Sequence, residues 1–445
     1  MLIKQYHVTV LSNLLLAYDK YSRIYDKAGI SQSSYPGVFF LVDHAQLPIG
    51  INKAAGLLQK LGYPGNRLLV LETLIETDRL KENDLTGTGL GKYIESEQIR
   101  VNGLYYPVDN ALKPVRVEEA MAEAYAVMQQ SVAGFDELAP RTISVLPIAN
   151  GCQAQCPFCF SKASISHIHK QKHLSMARTN EVLHQAALAG ATRAVITGGG
   201  EPGLLPAERL HALIKLCRRR FDKVVMITNG YFIANHPNPK ARLSALSDSG
   251  LSVLAVSRHH YAAQRAAAIM GLDVAFDNLL QAYRGNRQQG AGMTLRVICL
   301  LQKGGIDSPA EIEAYLDWAM QQEIEQVCFK ELYVASSSES VFYDQASNDW
   351  SYAQQVPLAM LINYAAEQGW EEVMRLPWGS PVYRYVKNGR TMQVAAYTEP
   401  SVSWELANGM CRSWNLMADG RCYASLEVSD SEVLKNNTAG YCYGL

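Results

Sequence analysis

The chain has 445 residues, with 41 Lys plus Arg against 42 Asp plus Glu and a formal net charge of −1 at pH 7. That balance argues against a nucleic-acid partner, which needs a basic face, and no stretch approaches the roughly 18 uncharged apolar residues that span a bilayer. Hydrophobic residues at 48% fit a globular protein of one to three domains, and the 9 cysteines are too few for a disulfide framework. They read as reduced, cytoplasmic thiols that bind metal where their spacing is tight.

Residues 1–140 come first, as an N-terminal accessory domain. Met1 to Tyr18 has one Lys and a short apolar run without a small-residue cleavage site, so it reads as folded protein and not as a signal peptide. The runs Val38–Val42 and Leu68–Leu71 must be buried, Asn83–Gly91 is a polar, Gly-rich loop, and Val101–Pro107 is hairpin-like around Gly103. These 140 residues are too apolar for disorder, and docking on the rest of the chain is expected of them.

A strand–helix rhythm then fills residues 141–335. Strands are expected at Thr142–Pro147, Ala194–Thr197, Val224–Thr228, Leu251–Val256, Leu295–Leu300 and Gln326–Phe329. Between them, Leu174–Leu188 is a helix with Ser175 as N-cap, and Pro206 opens another with Leu210, Leu213, Ile214 and Cys217 on one face. A short helix closes near Gly250, and the next places Phe276, Leu279, Leu280 and Tyr283 together. The last carries a capping box, Ser308 to Glu311, with Pro309 in its first turn. Apolar strands alternating with amphipathic helices mean an α/β fold, and six such units make a partial (β/α)6 barrel. Residues 336–445 form a C-terminal cap, with a Ser-rich loop at Ser336–Ser340, a helix near Pro357–Gln368 and strands around Val382–Val386 and Thr391–Ala396.

The strongest signal is Cys152-Gln-Ala-Gln-Cys156-Pro-Phe-Cys159, between the first strand and the first helix. A structural zinc site uses four ligands, and so does an ordinary [4Fe–4S] cluster. Three thiols in a C-x3-C-x2-C loop leave one position open for chemistry. The alternative is a zinc site completed by a nearby side chain such as His167, in a metal-binding protein without catalysis. A second motif, Thr197-Gly198-Gly199-Gly200-Glu201-Pro202, follows the second strand. Its glycines let backbone approach a ligand closely; a tight turn is the plainer reading.

The cysteine loop, with Phe158 before its last Cys, resembles the defining motif of the radical S-adenosylmethionine (SAM) superfamily. The glycine segment resembles that family's Gly-Gly-Glu-Pro element. Val225–Gly230, Leu254–Ser257, Ala268–Gly271 and Val327–Leu332 resemble later barrel elements, the last in the branch of the molybdenum-cofactor cyclase and the pyrroloquinoline quinone maturase. The likeness spans about residues 142–335. It implies that Cys152, Cys156 and Cys159 bind three irons of a [4Fe–4S] cluster and that SAM chelates the fourth. It also implies Phe158 near the adenine, Gly199, Gly200 and Glu201 at the methionine amino group, Asn229 and Ser257 toward the ribose, and Arg296 at the carboxylate.

A turn or a structural ion pair is the plainer reading of Asn229 and Arg296. Arg258-His259-His260-Tyr261 departs from the acidic, glycine-containing tip of many relatives. His259, His260 and Tyr261 are candidates for positioning substrate or moving protons. Lys330 and Glu331 read as ion-pairing residues, and Cys217, Cys299 and Cys328 as buried small hydrophobes.

The segment from Cys411 to Ser425 looks like the auxiliary-cluster extension of many relatives, but Asn408 and Ser425 stand where they carry cysteines. With only Cys411, Cys422 and Cys442 left, a cluster-free cap is expected. The whole implies an enzyme that abstracts hydrogen from a small metabolite or natural-product intermediate, or else from a ribosomally made peptide. Its electron donor would be a flavodoxin or ferredoxin, with no nucleic acid and no membrane as partners.

Overall fold

The computed structural model describes residues 134–169, 174–290, 292–333, 344–400, 405, 406 and 408–435, and two short strands upstream, β1 (Leu68–Val70) and β2 (Tyr105–Pro107). Val38–Val42, Asn83–Gly91, Ser336–Ser340 and Cys442 lie outside the described residues. Two compact units divide the chain: Met1–Gly134, Ala335–Val341 and Pro400–Gly409 in one, Phe135–Val334, Phe342–Glu399 and Met410–Leu445 in the other. In the first, β1 and β2 pair antiparallel with Leu69 opposite Tyr106. Within the hairpin-like segment expected at Val101–Pro107, Tyr105–Pro107 pairs with the distant Leu68–Val70.

The second unit opens with β3 (Ala139–Pro140) and β4 (Ile143–Val145). Then follow α1 (Met176–Leu188), β5 (Ala194–Ile196), α2 (Ala207–Arg218), β6 (Val224–Thr228), α3 (Tyr231–Ala234), α4 (Pro239–Asp248) and β7 (Val253–Ser257). After them come α5 (Ala263–Met270), α6 (Phe276–Arg287), β8 (Thr294–Leu301), α7 (Pro309–Gln321) and β9 (Gln326–Glu331). β4 to β9 pair in sequence order, all parallel. Parallel strands need helices on one face, and so read as near-continuous apolar runs. The predicted caps form: Ser175 accepts from Arg178 N and Ser308 from Glu311 N, both at 3.3 Å, satisfying backbone N–H groups that a helix start leaves open. The predicted stripe of α2, Leu210, Leu213, Ile214 and Cys217, is buried.

The rest of the unit holds α8 (Gln345–Gln354), α9 (Leu358–Glu367), β10 (Glu371–Arg375), β11 (Pro381–Lys387) and β12 (Arg390–Tyr397). β13 (Met410–Cys411), β14 (Trp414–Leu416), β15 (Cys422–Tyr423) and β16 (Glu432–Val433) complete it. β12 lies parallel beside β9, and β14 parallel beside β4, each with an antiparallel wing, so twelve strands run β10-β11-β12-β9-β8-β7-β6-β5-β4-β14-β15-β16. C-terminal strands thus extend both edges of the six-stranded sheet. The sheet does not close by hydrogen bonds and forms a partial barrel. Across the gap, Arg412 Nε, ahead of β14, meets Glu399 Oε2, beyond β12, at 2.8 Å.

Side chains alternate along each strand, and one face is layered. Val225, Val253, Ala255, Ile298 and Cys328 pack as one apolar cluster with Val195, Ile227, Ala395 and Tyr397 against it. Two residues toward the strand starts, the same face carries Arg193, Lys223, Arg296, Gln326 and Gln393; two residues the other way stand Ser257 and Lys330.

Candidate active site

β4 delivers the chain into the cysteine loop. Cys159 N donates to Cys156 O at 3.2 Å and Lys162 N to Cys159 O at 3.0 Å, so the loop coils before α1. Gln155 N donates to Met270 O at 2.8 Å, which pins the loop to the end of α5. The next residue, Gly271, has φ +57°, a left-handed turn that ends the helix there and frees that carbonyl. Cys152 is exposed, and Cys156 and Cys159 are partly buried. Burial pushes the Cys156 thiol up to about 12, and the neighbouring Cys159 and Cys152 sulfurs add to the shift. Burial raises Cys152 as well. Cys152 and Cys156, whose thiols resist ionisation beside a third sulfur, suit a cationic centre, which favours the thiolates. Among the described residues no three His, Cys, Asp or Glu side chains are placed to hold a single metal ion. His167, the expected fourth zinc ligand, turns its Nδ1 to the Ser164 carbonyl.

The glycine segment lies directly against this loop. Gly200 N donates to Ile148 O at 3.0 Å and Glu201 N to Gly151 O at 2.6 Å. A Cβ on Gly199 would stand 2.0 Å from Ala149 O, and one on Gly200 2.2 Å from Gly151 O. The glycines are therefore required by contact between two backbones. Glu201 turns away from the loop. Its Oε1 accepts from Thr228 Oγ1 at 2.6 Å and Gly203 N at 2.8 Å, and its Oε2 from Asn229 N at 2.8 Å. Burial pushes this carboxyl up, and the three donors pull it back. Asn229 Nδ2 in turn reaches Gln153 Oε1 at 3.2 Å and Cys152 Sγ at 3.6 Å. One buried carboxylate thus ties the ends of β5 and β6 together, and Asn229 carries the tie to the first cysteine.

Phe158 stands edge-on to His259, with ring centroids 5.1 Å apart, and 5.7 Å from Trp350. His259 is buried, and its Nδ1 accepts from Leu300 N at 3.2 Å. Burial, with the Arg258 charge behind it, lowers its pKa to about 3, so it is a neutral ring that carries its proton on Nε2. His260 Nδ1 accepts from Ala262 N at 2.9 Å, and burial lowers its pKa too. Tyr261 packs on the His260 ring at 4.3 Å. Arg258 is buried with its guanidinium 4.9 Å from the Phe276 ring and 5.7 Å from Trp318. These contacts hold the loop after β7 in place, and His260 Nε2 lies 3.7 Å from Glu311 Oε2.

Ser257, half-buried at the end of β7, lies with Asn229 at the strand-end side of the sheet, where the cysteine loop sits. Arg296 does not. It is the third residue of β8, and its Nε and Nη2 donate to Gln326 Oε1 at 2.9 and 2.6 Å, near the strand starts and below the apolar layer. Lys330 pairs with Glu399 at 2.9 Å, and Glu331 accepts from Thr398 Oγ1 at 3.3 Å. Cys217, Cys299 and Cys328 are buried, as expected. Cys411 and Cys422 are buried on β13 and β15, and Ser425 accepts from Glu427 N and closes a turn with Ser431. Thr228, Met270 and Trp350 escaped the sequence reading. The signal for Thr228 was present: a glutamate that follows three glycines at a strand end is buried and must find donors.

Residues 146–311 match the family model of the radical SAM superfamily. The chain carries a radical SAM domain. It is the domain of an enzyme that cleaves SAM, and the cysteine loop, the glycine segment and the ends of β6 and β7 all fall inside it. No curated protein matches the chain in sequence. Among solved structures, SuiB of Streptococcus suis bound to S-adenosylmethionine is 14% identical, over 79% of this chain and 74% of that one, with a TM-score of 0.43. The anSMEcpe protein with bound AdoMet is 12% identical, over 65% and 75%, with a TM-score of 0.41. Methylornithine synthase (PylB) is 16% identical, over 43% and 53%, with a TM-score of 0.33.

Proposed function

We propose that this protein uses a [4Fe–4S] cluster held by Cys152, Cys156 and Cys159 to abstract hydrogen from a small polar molecule inside the barrel. The observation that carries the reading is the brace from Glu201 through Asn229 to Cys152, which joins the three motifs at one end of the sheet. The bound cluster would supply one electron to break a carbon–sulfur bond of SAM, giving the 5′-deoxyadenosyl radical that takes hydrogen. The protein's part is to bind and aim. Gly199 and Gly200 keep backbone close to the loop, Phe158 offers a ring to the adenine, and Asn229 and Ser257 offer polar groups to the ribose. Beside the apolar layer, Lys330 and Tyr397 both bind Glu399, and a polar substrate there would meet this charged group. An acidic electron carrier such as flavodoxin or ferredoxin would reach the exposed Cys152 side of the loop.

Protein purified without oxygen should be brown and, once reduced, should release 5′-deoxyadenosine and methionine from SAM. The triple substitution Cys152→Ala, Cys156→Ala, Cys159→Ala should remove both colour and product. A colourless wild-type protein with one tetrahedral zinc, or one giving methylthioadenosine as main product, would overturn the proposal.

A further inference from the structure

The strand starts of the barrel hold a group of cations that the chemistry at the other end does not use. Arg193 and Lys223 precede β5 and β6 side by side, for Ala194 N donates to Lys223 O at 3.1 Å. Arg296 stands on β8 opposite Ala255 and Gln326. Each sits two residues below a member of the apolar cluster, Val195, Val225 or Ile298, and so faces the same side of the sheet. Arg141 joins them ahead of β4, where Ile143 N donates to Arg193 O and Thr192 N to Arg141 O, both at 3.1 Å. Adjacent strands are only about 4.8 Å apart, so these charges lie along one rim.

Nearby acids are turned elsewhere. Asp222 meets Arg218 at 3.4 Å. Glu325 takes the Tyr283 hydroxyl at 2.6 Å, Leu295 N at 3.0 Å and Arg287 at 3.2 Å. Among the described residues no carboxylate forms an ion pair with Arg141, Arg193, Lys223 or Arg296, whose single polar side-chain partner is the neutral Gln326 amide. Burial first, and then the other cations, lowers the pKa of both Arg193 and Lys223. Half-buried like charges without a counter-ion destabilise a fold, and a bound anion would reverse that sign.

We propose that the strand-start end of the barrel binds a multivalent oxyanion of the phosphate class, at a site separated from the cofactor loop by the apolar layer. Arg193, Lys223 and Arg296 would surround it, with Gln393 and Gln326 as neutral neighbours. Inorganic phosphate and the phosphoryl ester of a small molecule share this chemistry.

The test uses the full-length, anaerobically purified protein. Thermal unfolding is followed against inorganic phosphate, against ADP, and against chloride at matched ionic strength and pH. Phosphate should raise Tm saturably, by about 2–4 °C near ten times its dissociation constant, where chloride does not. Tighter binding of ADP would assign the site to phosphoryl esters, and equal or weaker binding to free phosphate. Arg193→Gln and Lys223→Gln should each weaken the response at least fivefold, with phosphate-free Tm unchanged or raised because repulsion is relieved. Arg193→Lys should retain the response. Phosphate acting no differently from chloride, or the Gln variants responding like wild type, would overturn the proposal.

Discussion

A methyl group on Gly199 or Gly200 would occupy space already held by a carbonyl oxygen, 2.0 and 2.2 Å away. Gly199→Ala or Gly200→Ala must force the glycine segment off the cysteine loop. The expected cost is about 1–3 kcal/mol of stability, read by urea unfolding, with a larger loss in SAM affinity, read by equilibrium binding. Unchanged affinity in both variants would show that the contact does not shape the site. His259 gives a pH signature. Its ring titrates near 6.5 when free and near 3 in the fold. Its contribution to stability is therefore whole above pH 6.5 and is lost on acidification toward 3, with a slope of up to about 1.4 kcal/mol per pH unit. His259→Gln keeps an acceptor for Leu300 N but cannot take a proton, so stability between pH 6.5 and 5 should fall less steeply than in wild type. Parallel curves would show that the ring titrates normally. At this scale the sequence was legible where local pattern fixes structure, as with the N-caps Ser175 and Ser308. It was not legible for Arg296, because an arginine in a strand reads the same at either end of the barrel.

Between elements, the least visible relation in the sequence is who lies beside whom. The six barrel strands and their helices could be read in order, because 3.6-residue and continuous apolar patterns are local. That β12 pairs with β9 and β14 with β4 is not local. β12 alternates buried Met392, Val394 and Ala396 with more exposed partners, which says that one face is covered without saying where the strand docks. The two ends of the parallel section, β12 and β14, meet through Glu399, which accepts from Lys330 at 2.9 Å, Tyr397 at 3.0 Å and Arg412 at 2.8 Å. Glu399→Ala removes all three and leaves two part-buried cations together. A loss of about 1–3 kcal/mol is expected, with faster hydrogen exchange confined to β12 and β14. Exchange unchanged at both strands would mean that their ladders alone hold the ends.

For the whole molecule, every proposed cofactor residue belongs to the unit that begins at Phe135. Residues 1–140, the N-terminal accessory domain, are proposed to serve substrate recognition. A chain starting near Gly134 should assemble its cluster and release 5′-deoxyadenosine from SAM, yet lose turnover of the true substrate; full turnover by that chain would reduce the first unit to a passenger. With Ser425 tied into its turn and Cys422 buried at a thiol pKa pushed up to about 12, iron and sulfide should amount to one cluster per chain. Two clusters' worth, lost on replacing Cys411, Cys422 and Cys442, would contradict this. The pairing of β4 with β14 also sets an order of events during synthesis. β4 leads into the cysteine loop, yet one of its neighbours is made some 270 residues later, as the 269-residue span of the Ser144–Ser413 hydrogen bond records. Until then one edge of β4 has no partner, so the growing chain presents both an open strand and three free thiols. Contacts this distant form slowly, and the cell has that interval either to load iron and sulfide or to lose the chain to aggregation.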